Sequence, residues 1–161
     1  MAWRVDIGCT LDMPLEQVWD AVRQPRTLAW VAAPILRFRP IDPPHWPDRW
    51  SPGRHRVAMR FLGVVPMGRQ WIDVSFPARA ADDPDGARLV RDNGSGDLVR
   101  VWDHRIVLTP RADGGTDYRD RVDLAAGLLT PVVWAFAYLF YRWRQARWRA
   151  LARRHRPASG P

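Results

Sequence analysis

The sequence predicts an α+β fold in which a curved antiparallel sheet wraps around one long C-terminal helix. Three observations predict it: an opening segment that alternates apolar and polar residues, a middle region of short strand-like runs, and a final helical segment that begins near Thr130. At 161 residues and 47% hydrophobic composition, the chain can bury the core of one domain. We expect a single domain over 1–154 and a flexible tail over 155–161.

The first elements predicted are a strand and two short helices. Trp3 to Leu11 alternates apolar with polar residues, which is the period-two pattern of a half-buried strand. Asp12 is expected to cap the next helix, whose apolar residues recur at helical spacing until Pro25 ends it. A second short helix is expected from Arg26 to Val31.

The middle of the chain predicts a meander of antiparallel hairpins. A strand at Ile35 to Arg39 precedes a segment from Pro40 to Pro52, where repeated proline argues against regular pairing. This segment is either a stiff surface loop with two packed tryptophans or a lid over a cavity mouth. Clusters of Pro, Gly, Asp and Asn, among them 92–96, indicate turns between the later strands. Those strands are predicted at His55 to Leu62, Arg69 to Phe76, Ala87 to Arg91, Leu98 to Thr109 and Thr116 to Leu124.

The last helix is predicted to run from Thr130 to about Arg154, with Thr130 as N-cap and Pro131 in its first turn. The face expected to be buried carries Leu129, Val132, Val133, Phe136, Leu139, Phe140, Trp143 and Leu151. The opposite face carries Trp134, Tyr138, Arg142, Gln145 and Arg149. The apolar part of this helix covers only about 16 Å, whereas a bilayer core is about 30 Å thick, so it should not span a membrane.

Composition argues against several classes of protein. Cys9 is the single cysteine and lies in the apolar register of the first strand, so we expect a small core residue, no disulfide and a cytoplasmic location. The four histidines lack metal-ligand spacing, and we expect neither a metal nor a cofactor. The net charge of +8 comes entirely from arginine, which is typical of a GC-rich genome, and no nucleic-acid-reading module accompanies it. Nucleic acid is therefore an unexpected partner.

Local motifs accompany this order of elements. They are Pro14-Leu15-Glu16-Gln17-Val18-Trp19-Asp20, the turn Gly63-Val64-Val65-Pro66-Met67-Gly68, Trp102-Asp103-His104, Gly115-Thr116-Asp117-Tyr118-Arg119-Asp120 and the basic final helix. Over nearly its whole length the chain resembles the START-like, or SRPBCC, superfamily, which has the helix-grip fold. The resemblance implies an apolar cavity between the concave face of the sheet and the last helix. It implies no catalytic motif, because polyketide aromatase/cyclases, lipid carriers and other members share none.

Polar side chains on the last two strands are the candidates for chemistry. If even-numbered residues face inward, this face carries Arg100, Trp102, His104, Tyr118 and Asp120. A hairpin that pairs Leu108 with Thr116 would place His104 directly opposite Asp120, within hydrogen-bonding reach. In one interpretation His104 is a general acid/base oriented by Asp120, with Tyr118 or Arg100 stabilising negative charge. In the other the pair is a satisfied polar contact that fixes the strand register.

The expected function is binding or transport of a small hydrophobic molecule, such as a lipid, an isoprenoid or quinone, or a polyketide-like aromatic. The residues expected to line the site are Met59, Phe61, Gln70, Ile72, Val74, Arg100, Trp102, His104, Tyr118, Val133, Phe136 and Phe140. The alternative is a polyketide cyclase/dehydratase-like enzyme that uses His104 and Asp120, with Tyr118 as a further catalytic candidate.

A third hypothesis is peripheral contact with an anionic membrane through the end of the last helix. The basic and aromatic residues there are Arg142, Arg144, Arg147, Arg149, Arg153, Arg154, Trp143 and Trp148. The alternative explanation is that these cations complement the negative end of the helix dipole. The oligomeric state is not indicated by the sequence.

Overall fold

In a computed structural model, residues 1–155 are described and form a seven-stranded sheet and three α-helices. A short 3₁₀ turn, Gly127–Leu129, precedes the last helix. The elements in chain order are β1 (Trp3–Leu11), α1 (Leu15–Val22), α2 (Pro25–Ala32), β2 (Leu36–Asp42), β3 (Gly53–Phe61), β4 (Val65–Ser75), β5 (Arg88–Gly96), β6 (Val101–Pro110), β7 (Thr116–Ala125) and α3 (Thr130–Arg154). The predicted α+β class and element order are confirmed. The predicted domain over 1–154 stays a prediction, and 156–161 of the predicted tail lie outside the described residues.

The sheet is antiparallel throughout, with the strand order β1-β7-β6-β5-β4-β3-β2. The meander from β2 to β7 pairs each strand with the next, and the chain's first strand completes the sheet beside its last. Irregular register between Pro40 and Asp42 and between Ala58 and Arg60 bends the β2–β4 side of the sheet. Helix α3 packs across the sheet against β1 and against α2.

The buried face of α3 differs from the predicted one. Leu129, Val132, Leu139 and Trp143 are exposed. The residues that α3 buries are Thr130, Ala137, Phe140, Tyr141, Arg144, Gln145, Trp148 and Ala152. The prediction was wrong because apolar periodicity assumes an apolar contact face, whereas this face carries Arg144 and Gln145 into the core.

Two predicted helix caps also differ. Helix α1 begins after Pro14, with no side-chain capping hydrogen bond, so Asp12 is not its N-cap. Thr130 is the first residue of α3 rather than its cap, because its hydroxyl donates to the Gly127 carbonyl oxygen and accepts from the Ala126 N–H. The hydroxyl thereby fixes the turn that leads into the helix.

Strand β5 is longer than predicted, because 92–96 continue it instead of forming a turn. A Cβ atom on Gly94 would collide with the Trp71 carbonyl oxygen, and one on Gly96 would lie 2.9 Å from the Arg69 carbonyl oxygen. These glycines therefore permit close backbone approach between β4 and β5, a role that sequence alone does not distinguish from a turn. The extension brings Asp92 into the sheet.

The proline-rich segment is partly strand. Pro40 belongs to β2 and lies opposite Val57, which proline tolerates because β2 is an edge strand. Further on, Trp46 meets Trp50 edge-on at a centroid distance of 5.6 Å, and Trp50 lies against His55 at 4.9 Å. Both tryptophans pack against the core, as the loop interpretation predicts.

Arginine–aspartate pairs join neighbouring strands on the outer face of the sheet. Arg4 pairs with Asp123 across β1 and β7, and Arg91 pairs with Asp103 across β5 and β6, each with N–O distances of 2.8 Å at closest. An exposed pair such as Arg4–Asp123 contributes little stability, about 0–1 kcal/mol. The pairs leave the inner face to apolar residues and to a few polar groups that are described next.

Candidate functional site

A cavity of about 300 Å³ lies between the N-terminal half of α3 and the concave face of the sheet. Strands β2 to β6 supply one wall, and α2 and α3 supply the other. Its lining is mostly apolar and consists of Leu28, Leu36, Phe38, Met59, Met67, Gln70, Ile72, Asp92, Leu98, Val99, Trp102, His104, Val132, Val133, Phe136, Phe140, Tyr141 and Arg144.

The cavity opens between the start of α3 and the β5–β6 turn. Leu98 and Val132 both line it, yet they are 48% and 68% exposed. No residue of the proline-rich segment after β2 is among the lining residues, so the lid interpretation of that segment is wrong. Trp50 from that segment instead borders a second, inner cavity of about 60 Å³.

We call the cavity of about 300 Å³ the main cavity. Aromatic rings form its walls near the middle. Phe136 and Phe140 lie nearly parallel with centroids 5.9 Å apart, and Trp102 stacks on Tyr141 at 6.2 Å. Phe61 contacts Phe136 edge-on from outside the lining. The rings of Phe136 and Phe140 come from one helix face at i, i+4 spacing, so both border the cavity from the same side.

Three polar side chains stand at the inner end, where the two cavities adjoin. Asp92, His104 and Arg144 line both. Asp92 and His104 lie directly opposite each other on β5 and β6, and Arg144 reaches them from α3. The inner end is therefore polar in a cavity whose remaining lining is mostly apolar.

His104 and Asp120 form a buried hydrogen-bonded pair, with His104 Nε2 2.8 Å from Asp120 Oδ1. The predicted register was wrong by two residues: Thr116 lies opposite Pro110, His104 opposite Val122 and Asp120 opposite Ile106. The side chains meet diagonally, because a shift of two residues leaves both on the same face of the sheet.

Asp120 is the centre of a wider network and is fully buried. The Tyr118 hydroxyl donates to its Oδ1 at 3.2 Å, and Gln145 Nε2 donates to its Oδ2 at 3.4 Å. Gln145 Nε2 also donates to the Ile7 carbonyl oxygen at 2.6 Å, which ties α3 to β1. The carboxylate thus accepts from a histidine, a tyrosine and an amide.

Burial sets the protonation state of His104 and Asp92, two of the titratable groups that line the cavity. It lowers the pKa of His104 although the hydrogen bond to Asp120 opposes this, so the imidazole is neutral near pH 7. Because the Asp120 carboxylate only accepts, we assign the proton of the neutral ring to Nε2. Burial also raises the pKa of Asp92 to about 7, against the lowering effect of the Asp73 N–H, which donates to Asp92 Oδ1 at 2.8 Å.

Arg144 is 5% exposed and has few partners. One guanidinium NH₂ donates to the Tyr118 hydroxyl at 3.5 Å, and the Tyr141 ring centroid lies 4.9 Å from its Cζ. Its Nε has no hydrogen-bond partner. Within residues 1–155, no carboxylate oxygen lies within the 4.0 Å of an ion pair.

The predicted site residues fall into two groups. Met59, Gln70, Ile72, Trp102, His104, Val133, Phe136 and Phe140 line the main cavity. Val74 borders only the inner cavity, Phe61 packs behind the wall and Tyr118 is buried behind Asp120. Arg100 is exposed and does not line either cavity, because the chain enters β6 only at Val101. That the lining residues bind a ligand stays a prediction.

Sequence reasoning missed Asp92, Tyr141 and Arg144 as cavity residues. Asp92 sits in a glycine-containing cluster typical of a turn, and Arg144 is one of many arginines in the last helix. Their i, i+3 spacing places Tyr141 and Arg144 on one helix face together with Phe140, and this spacing is the signal that identifies them.

The predicted membrane-facing surface also changes, because the buried face of α3 is not the predicted one. Arg144 and Trp148 are buried, and Arg147 stacks on Trp30 with its Cζ 3.7 Å from the ring centroid. Arg142, Arg149, Arg153 and Arg154 remain exposed. Within 1–155, none of the helices combines the length and the apolar character needed to cross a bilayer. No cluster of three or more metal-ligating side chains occurs in the same residues.

Comparison with solved structures identifies the fold. The Zhui aromatase/cyclase from Streptomyces sp. R1128 is 14% identical, with a TM-score of 0.66 and coverage of 100% of both chains. A START superfamily protein from Mycobacterium smegmatis is 14% identical, with a TM-score of 0.62 over 94% of this chain and 97% of that one. A conserved protein from Geobacillus kaustophilus is 13% identical, with a TM-score of 0.59 over 94% and 96%. No family model and no curated protein sequence matches.

The chain therefore has the START-like helix-grip fold, as the sequence predicts. One of the solved structures with this fold is an aromatase/cyclase. The TM-scores show the shared fold, but at identities of 13–14% they do not show a shared function. Any function must be argued from the geometry of the site.

Proposed function

We propose that this protein binds one small, largely apolar molecule in the main cavity. The observation that carries the proposal is the cavity of about 300 Å³, walled by apolar and aromatic side chains and open at the start of α3. A normally packed core leaves few voids larger than a water molecule, whereas ligand sites begin near 300 Å³. A carrier or receptor of a hydrophobic molecule fits both its volume and its lining.

The walls favour a flat ligand. The parallel rings of Phe136 and Phe140, with Trp102 across the cavity, offer stacking surfaces for an aromatic or quinone ring. The volume lies at the lower end of the range for ligand sites, so a compact polyketide-like aromatic or a short isoprenoid fits better than a complete diacyl lipid.

A second candidate function is catalysis of the aromatase/cyclase type. The observation that favours it is the neutral His104, which faces the cavity and is oriented through Nε2 by Asp120. Nδ1 is then the ring nitrogen that can accept a proton from a carbon next to a carbonyl group. Asp92, with its pKa raised to about 7 by burial, lies opposite on β5 and is available to donate one.

Binding is tested with the neutral fluorescent probe N-phenyl-1-naphthylamine. We expect enhanced emission at about one probe per chain. Phe136→Trp should weaken probe binding at least about tenfold, because the larger ring occupies the cavity, with little change in melting temperature. Leu139→Trp is the matched control: it adds an indole to an exposed position of the same helix and should leave binding unchanged.

Two results would overturn the binding proposal: no probe bound by the folded wild-type protein, or the same loss of binding in both tryptophan variants. Catalysis is tested by deuterium exchange into the methyl group of acetophenone, followed by proton NMR. Exchange above the buffer rate that disappears in His104→Gln supports the enzyme, whereas exchange at the buffer rate in the wild type removes it.

A further inference from the structure

Arg144 is a buried cation for which residues 1–155 supply no carboxylate oxygen within ion-pair distance. It lies on the face of α3 that contacts the sheet, one turn from both Phe140 and Trp148, and it lines the main and the inner cavity. A guanidinium stays protonated at any physiological pH, so the group is charged in this position. A buried charge normally requires an oppositely charged partner or a full set of hydrogen bonds.

The groups around Arg144 supply little of that compensation. The bond to the Tyr118 hydroxyl is 3.5 Å long, and the Tyr141 ring gives a cation–π contact. Against the lowering effect of burial, the Tyr141 hydroxyl and the charge of Asp120 also raise the pKa of Arg144, whereas Nε lacks a partner within residues 1–155. Arg91, in contrast, forms a bidentate pair with Asp103 at 2.8 Å for both bonds. Residues 1–155 thus place a carboxylate in direct contact with this outer-face arginine and none in direct contact with Arg144.

Asp120 and Asp92 interact electrostatically with Arg144, but both have other hydrogen-bond partners. Asp120 accepts from His104, Tyr118 and Gln145, as described above. Asp92 accepts from the Asp73 backbone N–H, and burial raises its pKa to about 7, so it carries only a partial negative charge near neutral pH. Neither aspartate forms an ion pair with Arg144, and space for another acceptor exists in the cavity that the guanidinium borders.

We propose that the ligand of this cavity carries a carboxylate, which binds the Arg144 guanidinium at the inner end while its apolar body lies along α3 towards the mouth. The inference rests on the proposed binding function and specifies the ligand as an amphipathic acid. A carboxylate matches the planar donors of arginine and would satisfy Nε. The apolar walls of Val133, Phe136 and Phe140 would hold the ring or chain.

The test compares 2-naphthoate with 2-naphthalenemethanol, which share the ring system and differ in the charged group. Each is titrated against bound N-phenyl-1-naphthylamine. We expect the wild-type protein to bind the acid at least about tenfold more tightly than the alcohol. Arg144→Met, which keeps the length of the side chain, should abolish this preference while the affinity for the alcohol stays within about threefold.

Arg149→Met is the matched control, since it removes the same charge from an exposed position of α3 and should keep the preference. Equal affinity of the wild type for acid and alcohol would overturn the inference, and so would an equal loss of preference in both arginine variants. The comparison of acid with alcohol on the wild-type protein tests the inference even if the Arg144→Met variant does not fold. Failure of the proposed binding function is distinguishable, because the wild-type protein would then not bind the neutral probe at all.

Discussion

The two halves of α3 cross the same sheet, yet one half is closed against it and the other is open. In the C-terminal half, Trp148 is 1% exposed and packs on Tyr118 with ring centroids 5.0 Å apart, which leaves an inner cavity of only about 60 Å³. In the N-terminal half, Phe136 and Phe140 border the cavity of about 300 Å³. The same pair of elements thus forms a closed core at one end and borders a larger cavity at the other.

The boundary between the halves is polar. Arg144 and Gln145 lie where the closed half begins, and Gln145 bonds both Asp120 and the Ile7 carbonyl oxygen of β1. These bonds tie the middle of the helix to β1 and β7, and they add to the apolar packing of Ala137, Phe140 and Tyr141 beneath the N-terminal half. The two halves of α3 therefore show that a fixed polar contact in the middle of a helix is compatible with a cavity beside a well-packed core.

The largest difference between the halves should appear when large side chains are truncated. Trp148→Ala is expected to lower the free energy of unfolding by about 3–5 kcal/mol, because it creates a large void in a closed core. Phe136→Ala should cost only about 1–2 kcal/mol, because this ring is half-buried and already borders empty space. Chemical denaturation of both variants measures the contrast, and equal losses would show that the two halves are packed alike.

Removal of the polar contact at the boundary should have the next largest effect. Asp120→Ala is expected to cost about 2–4 kcal/mol, because His104, Tyr118 and Gln145 lose their shared acceptor in a buried site. Asp120→Asn keeps an acceptor oxygen and should cost about 1 kcal/mol. A melting temperature of Asp120→Ala equal to that of the wild type would contradict the role of this network.

The sequence predicts this pair even though it predicts the wrong register. Alternation places His104 and Asp120 on the inner face, and a register error of two residues preserves the face of every side chain. An error of one residue would have turned one of them outward. The face of a strand residue is therefore predictable from sequence, whereas its partner depends on the length and geometry of the turn, here between Pro110 and Thr116.

Which face of α3 is buried was less predictable than where the helix begins and ends. Thr130, Pro131 and the basic last turn mark the two ends of the helix. The buried face was wrong because Arg144 and Gln145 face the core, and their burial depends on acceptors from β1 and β7 that lie far away in sequence. Asp92 was missed for a related reason: only the pairing of β4 with β5 shows that the glycines beside it are strand residues.

The polar end of the open half should make stability depend on pH through Asp92. Burial raises the pKa of Asp92 in the folded state to about 7, so the folded chain holds this proton more tightly than the unfolded chain. Protonated Asp92 therefore contributes its full share of stability below the ordinary pKa of aspartate. This contribution falls as the pH rises, and it is lost once the pH has passed about 7. The charged or titratable groups that act on it are Asp73, Arg144, Asp103 and the facing His104.

Asp92→Asn isolates this effect, because the amide oxygen can still accept from the Asp73 N–H while it cannot ionise. The wild type should lose about 1–3 kcal/mol of stability relative to the variant between pH 5 and pH 8. His104, whose pKa burial lowers, acts in the opposite direction, but it is present in both proteins. Parallel stability curves for the two proteins over this range would show that Asp92 does not titrate near neutrality.

The smallest expected effect is the response of the open half to an added methylene group. Val133→Leu places the extra group over the main cavity, so the free energy of unfolding should change by no more than about 0.5 kcal/mol. Ala152→Val adds carbon to a residue 1% exposed in the closed core and should cost about 1–3 kcal/mol by overpacking. The pair compares enlargement on the same helix with and without free volume beneath it. If Val133→Leu proves as costly as Ala152→Val, the volume beneath the N-terminal half is not free, and the binding cavity loses its physical basis.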